Sequence, residues 1–134
     1  LLPEIIDFLK DAISRAESQS IEKSKIIVDP GIGFGKTVAH NLCLIKQLDQ
    51  LQSLGVPILL GASRKAFIRK TLALPGGSER PAEDRLIETG TQASTTAAVL
   101  NGAHIVRVHN VANTVATVKI ADAIKNACMS DPLY

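Results

Sequence analysis

Ile26-Ile27-Val28-Asp29-Pro30-Gly31-Ile32-Gly33-Phe34-Gly35-Lys36 runs from an apolar stretch directly into a polar, glycine-rich island. The change of character recurs twice, where Ile58-Leu59-Leu60 leads into Gly61-Ala62-Ser63-Arg64-Lys65 and Ile105-Val106 leads into Arg107-Val108-His109-Asn110. Short runs that are apolar throughout are typical of parallel strands covered on both faces, and in such folds ligands sit at the carboxyl ends of the strands. The pattern predicts three buried parallel strands whose ends deliver Asp29, Lys36, Arg64, Lys65, Arg107 and His109 to one rim. One carboxylate among several cations suits an aromatic heterocycle that carries an anionic leaving group.

Between these runs the apolar residues follow helical spacing. Ile5, Ile6, Leu9, Ala12, Ile13 and Ala16 recur at intervals of three and four after Pro3, which suits a first helical turn. Leu44, Ile45, Leu48, Leu51 and Leu54 repeat the pattern, with Asn41 as the expected N-cap and Gly55 with Pro57 as the stop. A Thr- and Ala-rich helix is expected from Asp84 to Asn101, closed by Gly102. A last one is expected to start with Asn113 as cap, to turn Val115, Val118, Ala121 and Ile124 inward, and to fray beyond Cys128. Residues 72–82, rich in Pro, Gly and charge, read as a surface loop. The predicted order is α-β-α-β-α-β-α.

Three parallel strands leave two unprotected sheet edges, whereas successive βα units build an eight-unit barrel of about 250 residues. The expected fold is therefore part of a (β/α)8 barrel, cut within a βα unit at its amino end, with an open flavodoxin-like sheet as the structural alternative.

Composition narrows the function. The 134 residues are 46% hydrophobic and 21% charged, ordinary for one packed domain. Aromatics are 3% with no Trp, too few for proteins that stack nucleic-acid bases. A net charge of +2 with interspersed signs does not make a nucleic-acid surface. Cys43 and Cys128 lack metal or redox spacing and are expected to be buried, unpaired thiols. Nothing resembles a signal peptide, and no apolar stretch approaches the roughly 18 residues of a membrane span. The expected location is the cytoplasm, with no membrane and no nucleic-acid partner.

Familiar phosphate motifs fail. Gly35-Lys36-Thr37 would end a P-loop, but its required first glycine is Pro30; the dinucleotide pattern G-x-G-x-x-G would need glycine where Lys36 stands. The glycines still permit a sharp turn after the strand and close backbone approach to a flat ligand. Asp29 can accept paired hydrogen bonds from an amidine-like edge, or more simply cap a turn. His109, two positions after Arg107, shares its strand face and makes an anion site. His40 and His104 are expected to be surface or capping residues.

The combination D-P-G-I-G-F-G-K, G-A-S-R-K and R-V-H, with Gly90-Thr91 before an Ala-rich helix, resembles the dihydropteroate synthases over nearly the whole chain. That resemblance implies the carboxyl-terminal portion of the pterin-binding barrel at residues 1–134, with strands six to eight and helices five to eight. The implied reaction condenses 6-hydroxymethyl-7,8-dihydropterin diphosphate with 4-aminobenzoate, giving 7,8-dihydropteroate and pyrophosphate in folate biosynthesis, a step targeted by sulfonamides. A pterin-binding methyltransferase and a catalytically inactive half-barrel are the alternatives.

By the same resemblance Asp29 binds the pterin's amino-pyrimidine edge, and Lys65 contacts the pterin beside the aminobenzoate site. Gly33, Phe34, Ser63 and Arg64 surround the aminobenzoate, while Arg107 and His109 hold the pyrophosphate, Arg107 also stacking on the pterin. Lys65, Arg107 and His109 are the implied catalytic residues. A Mg²⁺ ion is implied, its ligand lying outside these residues, as are a homodimer of the full-length protein and inactivity of this piece alone.

Overall fold

The computed structural model describes residues 1–128. Helix α1 spans Leu2–Ser18, with its proline in the first turn, and buries Leu2, Leu9 and Ile13. Helix α2, Val38–Lys46, continues as a 3₁₀ stretch over Leu48–Leu54. Strand β1 is Leu59–Leu60, followed by a short helix α3 at Ala66–Thr71. Helix α4, Arg85–Leu100, strand β2, Ile105–Val106, and helix α5, Val111–Asn126, complete the described chain.

The strands are parallel, with Leu59 opposite Ile105 and Leu60 opposite Val106. The expected first strand is reduced to a single parallel bridge between Val28 and Ile58. It rests on the Val28 N–H donating to the Pro57 carbonyl (3.0 Å) and the Leu59 N–H to that of Val28 (2.8 Å). Expected burial on both faces fails here too, since Ile27 is 52% and Ile105 37% exposed. The central Ile58 and Leu60 are buried in one aliphatic core together with residues of α1, α2 and α4.

The core is aliphatic, as the scarcity of aromatics requires. Leu44, Leu48, Leu51, Ile58 and Ile87 are essentially inaccessible, and of the three Phe residues Phe67 alone joins them. Among the described residues no helix is long and apolar enough to cross a membrane.

Several local expectations need correction. The cap of α2 is Thr37, whose hydroxyl accepts the His40 N–H (3.1 Å), so Asn41 lies inside the helix. The cap of α5 is Asn110, which accepts from the Asn113 N–H (3.1 Å), so the helix begins earlier than expected. Val115 and Ile124 point outward, because α5 meets α4 through the small side chains of Thr114 and Ala121 and leaves its larger apolar residues outside. Cys43 is exposed rather than buried, since α2 turns Asn41, Leu44 and Ile45 inward. The short helix α3 has too few apolar residues for a periodic signal. The fraying expected beyond Cys128 falls on residues outside those described.

Other expectations agree. Asp84 caps α4 by accepting the Leu86 N–H (2.7 Å), which together with Arg80 holds its carboxyl below the ordinary value. The surface loop after α3 is tied down by the Arg69–Glu79 and Arg80–Asp84 pairs, at 3.2 and 3.0 Å.

Candidate functional site

The polar islands converge around Lys65. This residue begins α3, and its ammonium donates to the Ile32 carbonyl in the first glycine-rich loop and lies 4.1 Å from the centre of the Phe34 ring. The alkyl stem fills the space beside Gly33, whose φ of +83° is open to glycine; a Cβ there would collide with the Lys65 side chain. The ring of Phe34 is otherwise exposed.

Burial is the largest influence on Lys65 and lowers its pKa below the ordinary 10.5; Arg107 and Lys36 push the same way, while Asp29 opposes them. Asp29 and Arg107 thus act on Lys65 electrostatically, but they do not share one cavity with it: Lys65 and Arg107 line one cleft and Asp29 another. Lys36 folds back onto its own loop, donating to the Gly31 carbonyl at 2.9 Å and the Phe34 carbonyl at 3.3 Å.

Asp29 takes the simpler role weighed for it, accepting the Gly31 N–H at 2.8 Å. Its cleft of about 300 Å³ is shared with Phe8 of α1 and with Lys36. A second cavity of about 340 Å³ is lined by Gly61, Ser63, Lys65, Arg107, Val108 and His109. Gly61 leaves room for the arginine, since a Cβ there would sit 3.2 Å from the Arg107 guanidinium. Ser63 Oγ lies 2.8 Å from His109 Nδ1 and accepts the His109 backbone N–H at 3.3 Å, joining the ends of β1 and β2.

Arg64 is not brought into that cavity. Its backbone is left-handed, with φ of +57°, and its guanidinium faces Glu88 of α4 at 3.8 Å. Sequence reasoning missed Asn41, which is 2% exposed and accepts the Gly33 N–H (2.7 Å) while donating to the Thr37 carbonyl (2.7 Å). It pins the glycine-rich loop to α2; the available signal was a polar residue on the face shared by Leu44 and Ile45. His104, expected at the surface, is exposed, yet its Nδ1 accepts the Ile58 N–H (3.1 Å) between the strands.

A cleft with Lys65, Arg107 and His109 can hold a polyanion, and one with Asp29 can hold a hydrogen-bonding heterocycle. A comparison with known families agrees with that chemistry: the sequence profile of pterin binding enzymes matches residues 1–109. The chain belongs to the pterin-binding enzyme family. Among members of that family it is 40% identical over 124 residues to the dihydropteroate synthase of Synechocystis sp., covering 92% of this chain and 40% of the relative. The chain thus spans about two fifths of the length of the curated relative it matches. The fold of this pterin-binding family member is similar to the crystal structure of Yersinia pestis dihydropteroate synthase, with a TM-score of 0.85, 36% identity, and coverage of 95% of this chain and 56% of that one. It is also similar to the Coxiella burnetii dihydropteroate synthase in complex with pteroic acid, with a TM-score of 0.86, 32% identity, and coverage of 94% and 45%.

Proposed function

We propose that residues 1–134 are the carboxyl-terminal part of the (β/α)8 barrel of a dihydropteroate synthase, with the Val28 bridge, β1 and β2 as three adjacent strands. Support comes from the parallel order 28, 58–60, 105–106 and from the uncovered Ile27 and Ile105. The substrates proposed are 6-hydroxymethyl-7,8-dihydropterin diphosphate and 4-aminobenzoate.

The observation that carries the reading is the position of Lys65, in contact with Phe34 and the Ile32 carbonyl and within the electrostatic reach of Asp29 and Arg107. Asp29 would receive the pterin's amino-pyrimidine edge on its carboxylate, Arg107 and His109 would hold the diphosphate, and Lys65 would stand between the two. In the reaction the bond from the exocyclic methylene carbon to the diphosphate oxygen breaks. A bond to the amine nitrogen forms, and the surplus ammonium proton leaves to the diphosphate or to water. No general base is required, because the work is placement of the amine and neutralisation of the departing charge. Phe34, Gly33 and Ser63 would bound the aminobenzoate.

Among the described residues no three His, Cys, Asp or Glu side chains gather to hold a metal ion; the Mg²⁺ proposed for this reaction would be held by the diphosphate oxygens and a ligand outside these residues, and no step is routed through it.

The test is a chimera in which this chain replaces the matching 124 residues of the Synechocystis relative. Lys65→Ala in that chimera is expected to lower kcat/KM at least thirtyfold, about 2 kcal/mol of transition-state stabilisation. An unchanged kcat/KM in a folded variant would overturn the assignment.

A further inference from the structure

The contacts around Arg64 form a closed polar ring joining the two loops of the candidate site through α4. From His109 the path runs to Ser63 Oγ at 2.8 Å, along the backbone to Arg64, and across to Glu88 Oε2 at 3.8 Å. Gln92 Nε2 donates to Glu88 Oε1 at 2.6 Å and to Thr114 Oγ at 3.1 Å. Thr114 in turn donates to the Asn110 carbonyl at 2.8 Å, which returns the path to His109. A fully buried residue, Thr91, accepts the Arg64 N–H at 3.1 Å.

Two features separate this ring from ordinary helix packing. Arg64 is a non-glycine residue held at φ of +57°, a conformation that persists where surroundings over-determine it. In addition, Arg64 Nε and Glu88 Oε2 are both buried with no hydrogen-bond partner and lie 3.8 Å apart, so each atom has the other as its nearest opposite charge in the ring. The left-handed turn at Arg64 sets the directions of its neighbours, Ser63 toward His109 and Lys65 toward Ile32 and Phe34.

We propose that Glu88 and Thr91 are positioning residues that act through Arg64 to fix the His109 tautomer and the spacing of the Lys65 and Arg107–His109 loops. The mechanism rests on proton placement. Ser63 Oγ contacts both the His109 backbone N–H and Nδ1; in the proposed arrangement its hydroxyl proton goes to Nδ1 of the neutral ring, leaving the ring hydrogen on Nε2. An Nε2–H donor is what an oxyanion ligand needs. The inference rests on the functional reading above only for the identity of that ligand.

In the Synechocystis chimera, nitrogen-15 NMR with labelled histidine reads the tautomer directly, and calorimetry with inorganic pyrophosphate reads the anion site. Neutral His109 is expected as the Nε2–H tautomer. Glu88→Gln keeps an acceptor for Gln92 but removes the charge facing Arg64; Thr91→Val removes the acceptor of the Arg64 N–H. Each is expected to mix the tautomers and weaken pyrophosphate binding roughly fivefold, and Thr91→Ser to restore both. Folded Glu88→Gln protein with an unchanged tautomer and affinity would overturn the proposal, and that variant decides the matter if Thr91→Val does not fold. A wild-type Synechocystis chimera that binds no pyrophosphate would defeat the functional reading, while mixed tautomers in the variants would still uphold the ring.

Discussion

The loops at 29–36 and 61–65 both turn sharply off an apolar segment to present charge, and they are stabilised by opposite means. The first is built from local sequence: glycines that tolerate positive φ, an Asp29 turn closed on Gly31, and Asn41, 8 residues on, holding Gly33. The second places Arg64 where glycine would be the easy choice, and depends on Thr91 and Glu88, 27 and 24 residues distant, to keep it there. A turn made of glycine needs little support from the rest of the molecule. A turn made of arginine ties the site to a helix.

That contrast is broken most severely at Asn41. Asn41→Ala strands the Gly33 N–H and removes the tie to α2, and is expected to destabilise the fold by about 2 kcal/mol in denaturant titrations; a loss confined to a few tenths would mean the first loop holds itself. Next in size, Gly33→Ala meets both a left-handed backbone and the Lys65 stem, and is expected to cost about 1.5 kcal/mol, read as a shifted melting midpoint. A smaller effect sharpens the comparison from the other side. Arg64→Gly makes the second loop resemble the first, so the destabilisation caused by Thr91→Val should shrink by about 0.5–1 kcal/mol in a double-mutant cycle. Full additivity would contradict tertiary control of that turn.

The smallest expected effect is electrostatic. Lys65 has a folded pKa below its unfolded 10.5, so the folded state binds this proton less tightly than the unfolded state does. Its charged form therefore weighs against folding at lower pH. Stability should rise as pH climbs from the folded pKa toward 10.5, because there the unfolded chain holds the proton and the native one does not. Comparing wild type with Lys65→Met over that window should reveal the rise in wild type alone, and carbon-13 NMR at Lys65 Cε should place its titration below that of the other lysines.

Much of the architecture was legible in the sequence. Helix α4 with its Asp84 cap follows from hydrophobic spacing and capping chemistry, and the parallel order of the three apolar runs follows from their uninterrupted aliphatic character. That charges stand at the strand ends was legible, but the expected single cavity for Asp29, Lys65 and Arg107 was not: Asp29 lines one cleft and Lys65 with Arg107 another. Asn41 and Asn113 looked like caps because asparagine favours that role; the preceding Thr37 and Asn110 hold it instead. On α5 the spacing of apolar residues marked a stripe without saying whether a neighbour covers it, and here Val115 and Ile124 remain outside.

By itself the sequence determined which segments are apolar and which are polar, where the chain can turn, and that charges stand at the ends of three runs. These are local properties, set by side-chain chemistry and by neighbours within about one helical turn. Tertiary structure alone decided that Arg64 faces Glu88 rather than the cavity, that Thr91 supports a strained turn, and that His109 rests on Ser63. Each depends on partners 24 to 46 residues apart, whose approach is fixed by how α4 and α5 pack and which no local pattern encodes.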